Sequence, residues 1–373
     1  MIITFICDIY GNNNNGMVVA INRLKEELLK RGHIIRIVAN FNDSNEKYYL
    51  EKRNFGVLNK VFDKNNIVLA KPNIQVFTDA IKDADLVHIF LPFKCGKKAV
   101  KICKLYNKPF TASVHMTPHI IMHKIKLNKM NFISDLWQKV YNKKIYNQAQ
   151  CVHCPTNFIE KKLKNLGLTA PVLVASNGVP SIFKYHSVKK PEDLKSKICI
   201  LSIGRLSNEK KQDFIIEAVL RSKYQHDIQL IFAGKGETLN KLNKMGEALT
   251  HKPIIKFFNE ADLSNLICSC DLYVHASDVE TEGLACIESI CGGLVPIISD
   301  AKNCATQEYA LFRENLFKNN NPYDLASKID FWIENRKAYE YARQKYSQMA
   351  KEFTVENCAN KMESMFKNAI NKK

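Results

Sequence analysis

From its first residues the chain alternates short apolar runs with stretches of helical period. Ile2 to Ile9, interrupted only by Thr4 and Asp8, is a mostly apolar run of strand length. Asn12 to Asn15 and Gly16 form a polar turn. Met17 to Arg31 then places apolar residues at helical spacing and stops at Gly32, a C-terminal glycine signal. IIRIVA (Ile34 to Ala39) and LVHIFLP (Leu86 to Pro92) read as strands. A helix is expected at about Lys97 to Tyr106. Strands are expected at FTASVH (Phe110 to His115), near CVHCPT (Cys151 to Thr156) and at VLVASN (Val172 to Asn177).

Gly178 to Lys197 is polar and broken by two prolines, and reads as a link. The alternation restarts at ICILSIG (Ile198 to Gly204). It continues through a helix from about Gln212 to Ser222, the strand IQLIFAG (Ile228 to Gly234), a helix and the strand IIKFF (Ile254 to Phe258). The pattern predicts an α/β protein of two serial domains, 1–178 and 179–373. Each has a doubly wound parallel sheet with helices on both faces. A last helix, about 350–370, is expected to return to the first domain. A ligand is expected in a cleft between the two.

The most informative stretch is VETEGLACIESICGGLVP, Val279 to Pro296. The strand signal DLYVHAS (Asp271 to Ser277) precedes it and VPIISD (Val295 to Asp300) follows. Glu280 is thus expected in the loop after a strand, and Glu288 on the short helix beyond it. Ligands of open α/β sheets bind at that edge. Two carboxylates there can accept hydrogen bonds from several hydroxyls of one sugar and its ribose. Alone, they would equally serve to decorate a helix N-terminus. SIGRLSNEK adds Arg205 just after a strand and Lys210 before a helix, a pair of cations suited to a diphosphate. AGKGE (Ala233 to Glu237) supplies Gly234 and Gly236 at a turn where backbone can approach a ligand. In this order the elements describe a nucleotide-sugar site.

The GRLSxEK segment, the GxG loop and the Glu-x7-Glu segment resemble the retaining glycosyltransferases of family 4, which have the GT-B fold. LPFKCGKKAVKI, SVHMTPHI, HCPTNFI and DLYVHASDVETEGLACIES are similar to the branch of bacterial cholesterol and diacylglycerol α-glucosyltransferases. The wider family carries Phe-Gly where this chain has Glu282-Gly283, a departure shared with the lipid branch. The resemblance implies two Rossmann-like domains facing across a cleft, and transfer of a hexose, with glucose foremost, from a UDP-sugar to a lipid hydroxyl. It implies no metal. It gives Arg205 and Lys210 the diphosphate, together with Gly204. Glu288 takes the ribose, and Glu280 the sugar hydroxyls beside Gly283 and Leu284. The base falls near Phe258 and Asn259, His115 lines the sugar from the first domain, and Gly16 lets the first loop approach.

Charge sharpens this picture. Residues 1–170 hold 27 Lys and Arg against 12 Asp and Glu, whereas 171–373 hold 28 against 25. Leu86 to Gln150 contains 12 Lys and one acid, Asp135. A one-sided basic field attracts an anionic membrane surface or a polyanion. Pro118 to Tyr146 mixes Lys124, Lys126, Lys129, Lys139, Lys143 and Lys144 with Phe132, Trp137 and Tyr141, as an interfacial helix would. The basic segment, about 94–144, is therefore expected on the inner face of the cell membrane. A core helix with a wet basic back is the competing reading. The amino terminus reads as a strand, not a signal peptide. Twelve scattered cysteines fit reduced thiols, and Cys151-x-x-Cys154 has no second pair to complete a zinc site. The alternatives are a polysaccharide- or glycolipid-elongating hexosyltransferase of the same fold and, more distantly, a basic nucleic-acid-binding protein. The latter lacks a recognisable motif.

Overall fold

A computed structural model describes residues 1–11, 16–41, 43–56, 59, 69–124 and 131–372. The Asn12 to Asn15 turn, Lys126 and Lys129 lie outside them. The chain forms two compact units, Met1–Gly178 with Val355–Lys373, and Val179–Thr354.

The first unit holds β1 (Ile2–Ile9), α1 (Gly16–Lys30), β2 (Ile34–Asn40), α2 (Ile74–Ile81), β3 (Leu86–Ile89) and α3 (Lys94–Leu105). It continues with β4 (Phe110–Ser113), α4 (Pro118–Lys124), α5 (Asn131–Lys144), β5 (Val152–Cys154), α6 (Asn157–Asn165) and β6 (Val172–Val174). The six strands form one parallel sheet in the order β2-β1-β3-β4-β5-β6. The order reverses direction between β1 and β3. The helix at Val355–Asn371 also belongs to this unit, packing Met362, Met365 and Phe366 into a core with Phe5, Ile21, Leu28 and Phe90.

The second unit holds β7 (Ile198–Ile203), α7 (Gln212–Val219), β8 (Ile228–Ala233), α8 (Leu239–Gly246), β9 (Ile254–Lys256), α9 (Glu260–Ser269) and β10 (Leu272–His275). Then come β11 (Val279–Glu280), α10 (Leu284–Cys291), β12 (Val295–Ser299), β13 (Asn303–Cys304), β14 (Leu316–Phe317), α11 (Pro322–Glu334) and α12 (Arg336–Ala350). The Val355–Asn371 helix is α13. The second sheet runs β14-β12-β10-β7-β8-β9, all parallel, and reverses between β7 and β10. Both sheets are thus doubly wound, and each has one crevice at its reversal.

Three expectations are corrected. Gly178 to Lys197 is not a link, because Val179, Phe183 and Leu194 are buried in the second unit's core. The strands are shorter than their apolar runs, since His115, Asn177 and Phe258 stand beyond the last ladder bonds. Glu280 is not in a loop. It forms the end of the two-residue strand β11, which pairs in parallel with β13 through Glu280 and Cys304.

Candidate functional site

The second unit's crevice opens at the carboxyl ends of β7 and β10. After β7 the backbone turns at Gly204, whose φ of +141° lies where side chains are strained. A short 3-10 turn, Asn208–Lys210, then leads to Lys211 in a left-handed conformation and into α7. After β10 come Ser277, Asp278 and β11. The two loops are tied together, since the Asp278 N–H donates to the Glu209 carbonyl at 2.9 Å.

Between them Lys210 Nζ donates to Glu280 Oε1. Ser277 Oγ donates to the same oxygen at 3.2 Å. His275 Nε2 faces it at 3.5 Å, and His275 Nδ1 lies 2.9 Å from the Tyr273 hydroxyl. A proton on Nε2 turned toward Glu280 leaves Nδ1 to accept from Tyr273. Burial works to raise the Glu280 carboxyl, but Lys210 outweighs it, with help from His275, and holds Glu280 well below the usual range. Burial would likewise discharge Lys210, but the Glu280 carboxylate overrides it and keeps the ammonium above its ordinary value. Burial lowers His275 despite Glu280, so its imidazole is neutral. The pair is not sealed, as Lys210 and Glu280 keep 20% and 18% of their side-chain surface. Arg205 points to the rim at 37% exposure and donates to Glu209. Lys211 lies 3.4 Å from Asp278 and donates to Asn320 at 2.8 Å.

The glycines here serve loop packing. A Cβ on Gly234 would stand 1.9 Å from the Gly204 carbonyl oxygen, and one on Gly236 would stand 2.2 Å from that of Leu206. The expected open approach at Gly234 and Gly236 is therefore filled by the chain's own β7 loop. Gly283 has φ +84° and would drive a Cβ to 2.2 Å from Thr306 Cγ2. Leu284 opens α10 directly after it, and Glu288 is buried on that helix. Phe258 lies under Lys256 Nζ at 4.6 Å, and Asn259 caps α9 by accepting the Asp262 N–H at 2.8 Å. Burial raises the Tyr273 hydroxyl, and both Glu280 and Glu288 act on it in the same direction.

His115 and Gly16 belong to the first unit. His115 follows β4 and packs against Phe90, ring centroids 5.3 Å apart. Burial pushes it down to about 3, so it is a neutral group. A cavity of about 10 Å³, room for about one water, touches it with Ser113, His153, Ser176 and Asn177. Gly16 opens α1, and a Cβ there would meet nothing within 4 Å. Asp83 and Asp85 are occupied, one by Arg36 at 2.9 Å and the other by the Ile2 N–H at 2.7 Å. His119 is held by Asp135 at 2.9 Å.

Sequence reasoning passed over His275 and Ser277. Their signal is the alternation in DLYVHAS, which puts Tyr273, His275 and Ser277 on one side of a strand leading to Glu280. It also passed over Asp8, buried at the carboxyl end of β1. The Asp8 carboxyl accepts the Ala70 N–H at 3.0 Å and is raised by burial to about 7.

Comparison with known proteins bears on the family and the fold. Residues 14–181 match the family model Glycosyltransferase Family 4, and residues 186–352 match Glycosyl transferases group 1. The alpha-monoglucosyldiacylglycerol synthase of Streptococcus pneumoniae is 23% identical over 332 residues, 80% of this chain and 71% of that protein. The catalytic domain of cholesterol-alpha-glucosyltransferase from Helicobacter pylori is 40% identical, over 42% of this chain and 99% of that chain, with a TM-score of 0.41. Sucrose-phosphate synthase from Thermosynechococcus elongatus is 14% identical and superposes over 100% of both chains with a TM-score of 0.75. With two matched halves, two doubly wound sheets and that superposition, the chain belongs to the family 4 glycosyltransferases of the GT-B fold.

Proposed function

We propose that this glycosyltransferase moves glucose from UDP-glucose to a lipid hydroxyl, with retention and without a metal. The observation that carries the reading is the Lys210–Glu280 pair at the reversal between β7 and β10, where open sheets bind ligands. Breaking a glycosyl–phosphate bond builds negative charge on the leaving diphosphate. Arg205 on the rim and Lys210 behind it supply positive charge at fixed positions as that charge forms. Glu280, kept ionised by Lys210, accepts from the sugar hydroxyls and also holds Lys210 in place. Gly283 and Leu284 bring the start of α10 to the sugar, and Glu288 accepts from the ribose. Phe258 and Asn259 present backbone to the base. Retention follows from front-face attack, with the leaving phosphate taking the acceptor's proton. His115, neutral, is a hydrogen-bonding group at the carboxyl end of the first unit's sheet.

The lipid acceptor is supported by the diacylglycerol synthase relative and by the surface of α5. That helix is inverted relative to a core helix. Its buried positions are Ser134, Gln138 and Asn142; Gln138 Nε2 donates to Asn142 Oδ1, and Asn142 Nδ2 donates to the Leu163 and Leu166 carbonyls. Its exposed positions include Phe132 at 80%, Leu136 at 50% and Trp137 at 42%. Phe132, Leu136, Lys139 and Lys143 recur at three- and four-residue intervals, so they share one outward face. Apolar side chains beside lysines facing outward suit an anionic bilayer. No described helix is long and apolar enough to cross a membrane, so the attachment proposed is peripheral, on the inner face.

The test is release of UDP from UDP-glucose with EDTA present, with and without diacylglycerol or cholesterol in anionic vesicles. Lipid-stimulated release and an α-linked product are expected. Arg205→Ala should lower the rate by about a hundredfold, as removing an oxyanion donor does. Release with a soluble glycan, and none with either lipid, would overturn the acceptor and favour the polysaccharide reading. Full activity in Arg205→Ala would overturn its role.

A further inference from the structure

The sheet of the first unit is covered unevenly. α13 packs against α1, β3 and β4 and leaves the ends of β5 and β6 beside it open. There a groove of about 450 Å³ runs along α13. It lies at the amino-terminal ends of β5 and β6, the opposite edge from His115, and so is separate from the site above. Its size falls within the about 300–1,000 Å³ of small-molecule sites.

The lining has a clear chemical character. Leu173 and Cys151 form a half-buried apolar floor, and Met365 and Ala369 of α13 form the wall. Lys361 and Lys372 stand along the groove, about 16 Å apart at 1.5 Å per residue. Lys372 acts on the floor itself. Burial raises the Cys151 thiol, and the Lys372 ammonium opposes it. No Asp or Glu is among the lining residues. Gln150, Asn360, Ser364 and Asn368 add uncharged polar groups along the rim. An apolar floor with a polar, cationic rim and no acid selects an amphiphile with a negative head. A small inorganic anion would leave the floor uncovered, and a cationic amphiphile would meet Lys361 and Lys372. A peptide strand is disfavoured because β6 has three residues and follows Pro171, which has no N–H to offer.

We propose that this groove binds one free amphiphile of fatty-acid type, its acyl chain along Leu173, Met365 and Ala369 and its carboxylate at Lys372. The proposal does not depend on the sugar chemistry of the second unit.

Cys151 reports on occupancy directly. The full chain is alkylated with iodoacetamide and each cysteine is followed by peptide mass spectrometry, with laurate below its micelle concentration as the probe. Protection scales as one plus the ratio of ligand to Kd, so about tenfold slowing is expected at ten times Kd. Cys268 and Cys291, half-buried in the second unit, should alkylate at unchanged rates. Dodecyltrimethylammonium and phosphatidylglycerol vesicles should not protect Cys151. Lys372→Glu, at an exposed helix end, should remove the protection while leaving the melting temperature in place. Ser364→Trp, at an exposed position lining the groove, should remove it by filling the space. Unchanged Cys151 alkylation in laurate would overturn the proposal. So would equal protection by the cationic amphiphile or by vesicles, or protection that persists in a folded Ser364→Trp protein.

Discussion

Seventy residues separate Lys210 from Glu280, yet each sets the charge of the other. Removing one partner of such a pair leaves an uncompensated charge in a mostly buried place. Glu280→Gln is therefore expected to lower unfolding free energy by about 3 kcal/mol, measured in urea. Its pH dependence follows from the directions of the shifts. Glu280 is depressed when folded, so its contribution is complete above the ordinary glutamate range and is lost as pH falls through the folded value. Lys210 is raised, so its contribution is complete below the ordinary lysine range and is lost as pH rises through the folded value. The stability gap between wild type and Glu280→Gln should be flat from about pH 6 to 9. A gap that shrinks between pH 7 and 5 would assign it to another group. Gly283 makes a second case at this scale. Ala there meets both a strained φ and Thr306, so Gly283→Ala should cost about 2 kcal/mol or more and weaken UDP-sugar binding. Unchanged affinity would separate Gly283 from the site. GRLSNEK and the Glu-x7-Glu spacing pointed to these residues. Contact between Lys210 and Glu280 was not legible, because strand order, not spacing, makes β7 and β10 neighbours.

Among the elements, α5 is the one whose sequence pattern and burial disagree most with a core helix. Inward, the Gln138 side-chain N–H donates to Asn142, and the Asn142 side-chain N–H donates to the Leu163 and Leu166 carbonyls. Among the described residues nothing buries its outward Phe132, Leu136 and Trp137. A double change, Phe132→Ser with Trp137→Ser, should weaken sedimentation with phosphatidylglycerol vesicles at least as much as Lys139→Glu with Lys143→Glu. It should leave turnover of UDP-glucose alone intact. Equal vesicle binding in both variants would remove α5 from the interface. The mixture of lysine and aromatic residues was visible in the sequence. Which face points outward was not, since it depends on the α6 carbonyls that receive Asn142.

On the scale of the whole molecule, α13 is the element whose place departs from chain order, as expected for the last helix. It follows the entire second unit but completes the first, where Phe366 contacts His88 at a centroid distance of 5.1 Å. Deleting 355–373 should expose the faces of Phe5, Leu28 and Phe90, and the truncated chain is expected to aggregate or lose the first unit's thermal transition. A truncated chain with two intact transitions would show the helix to be dispensable. Two α/β halves could be read from the sequence because buried parallel strands are apolar along their whole length and helices repeat every 3.6 residues, both local properties. Strand order, the Lys210–Glu280 contact and the loop packing that requires Gly234 and Gly236 could not. Each depends on which distant segments pack together, and burial energy rewards any apolar partner of the right shape without naming it in the local pattern.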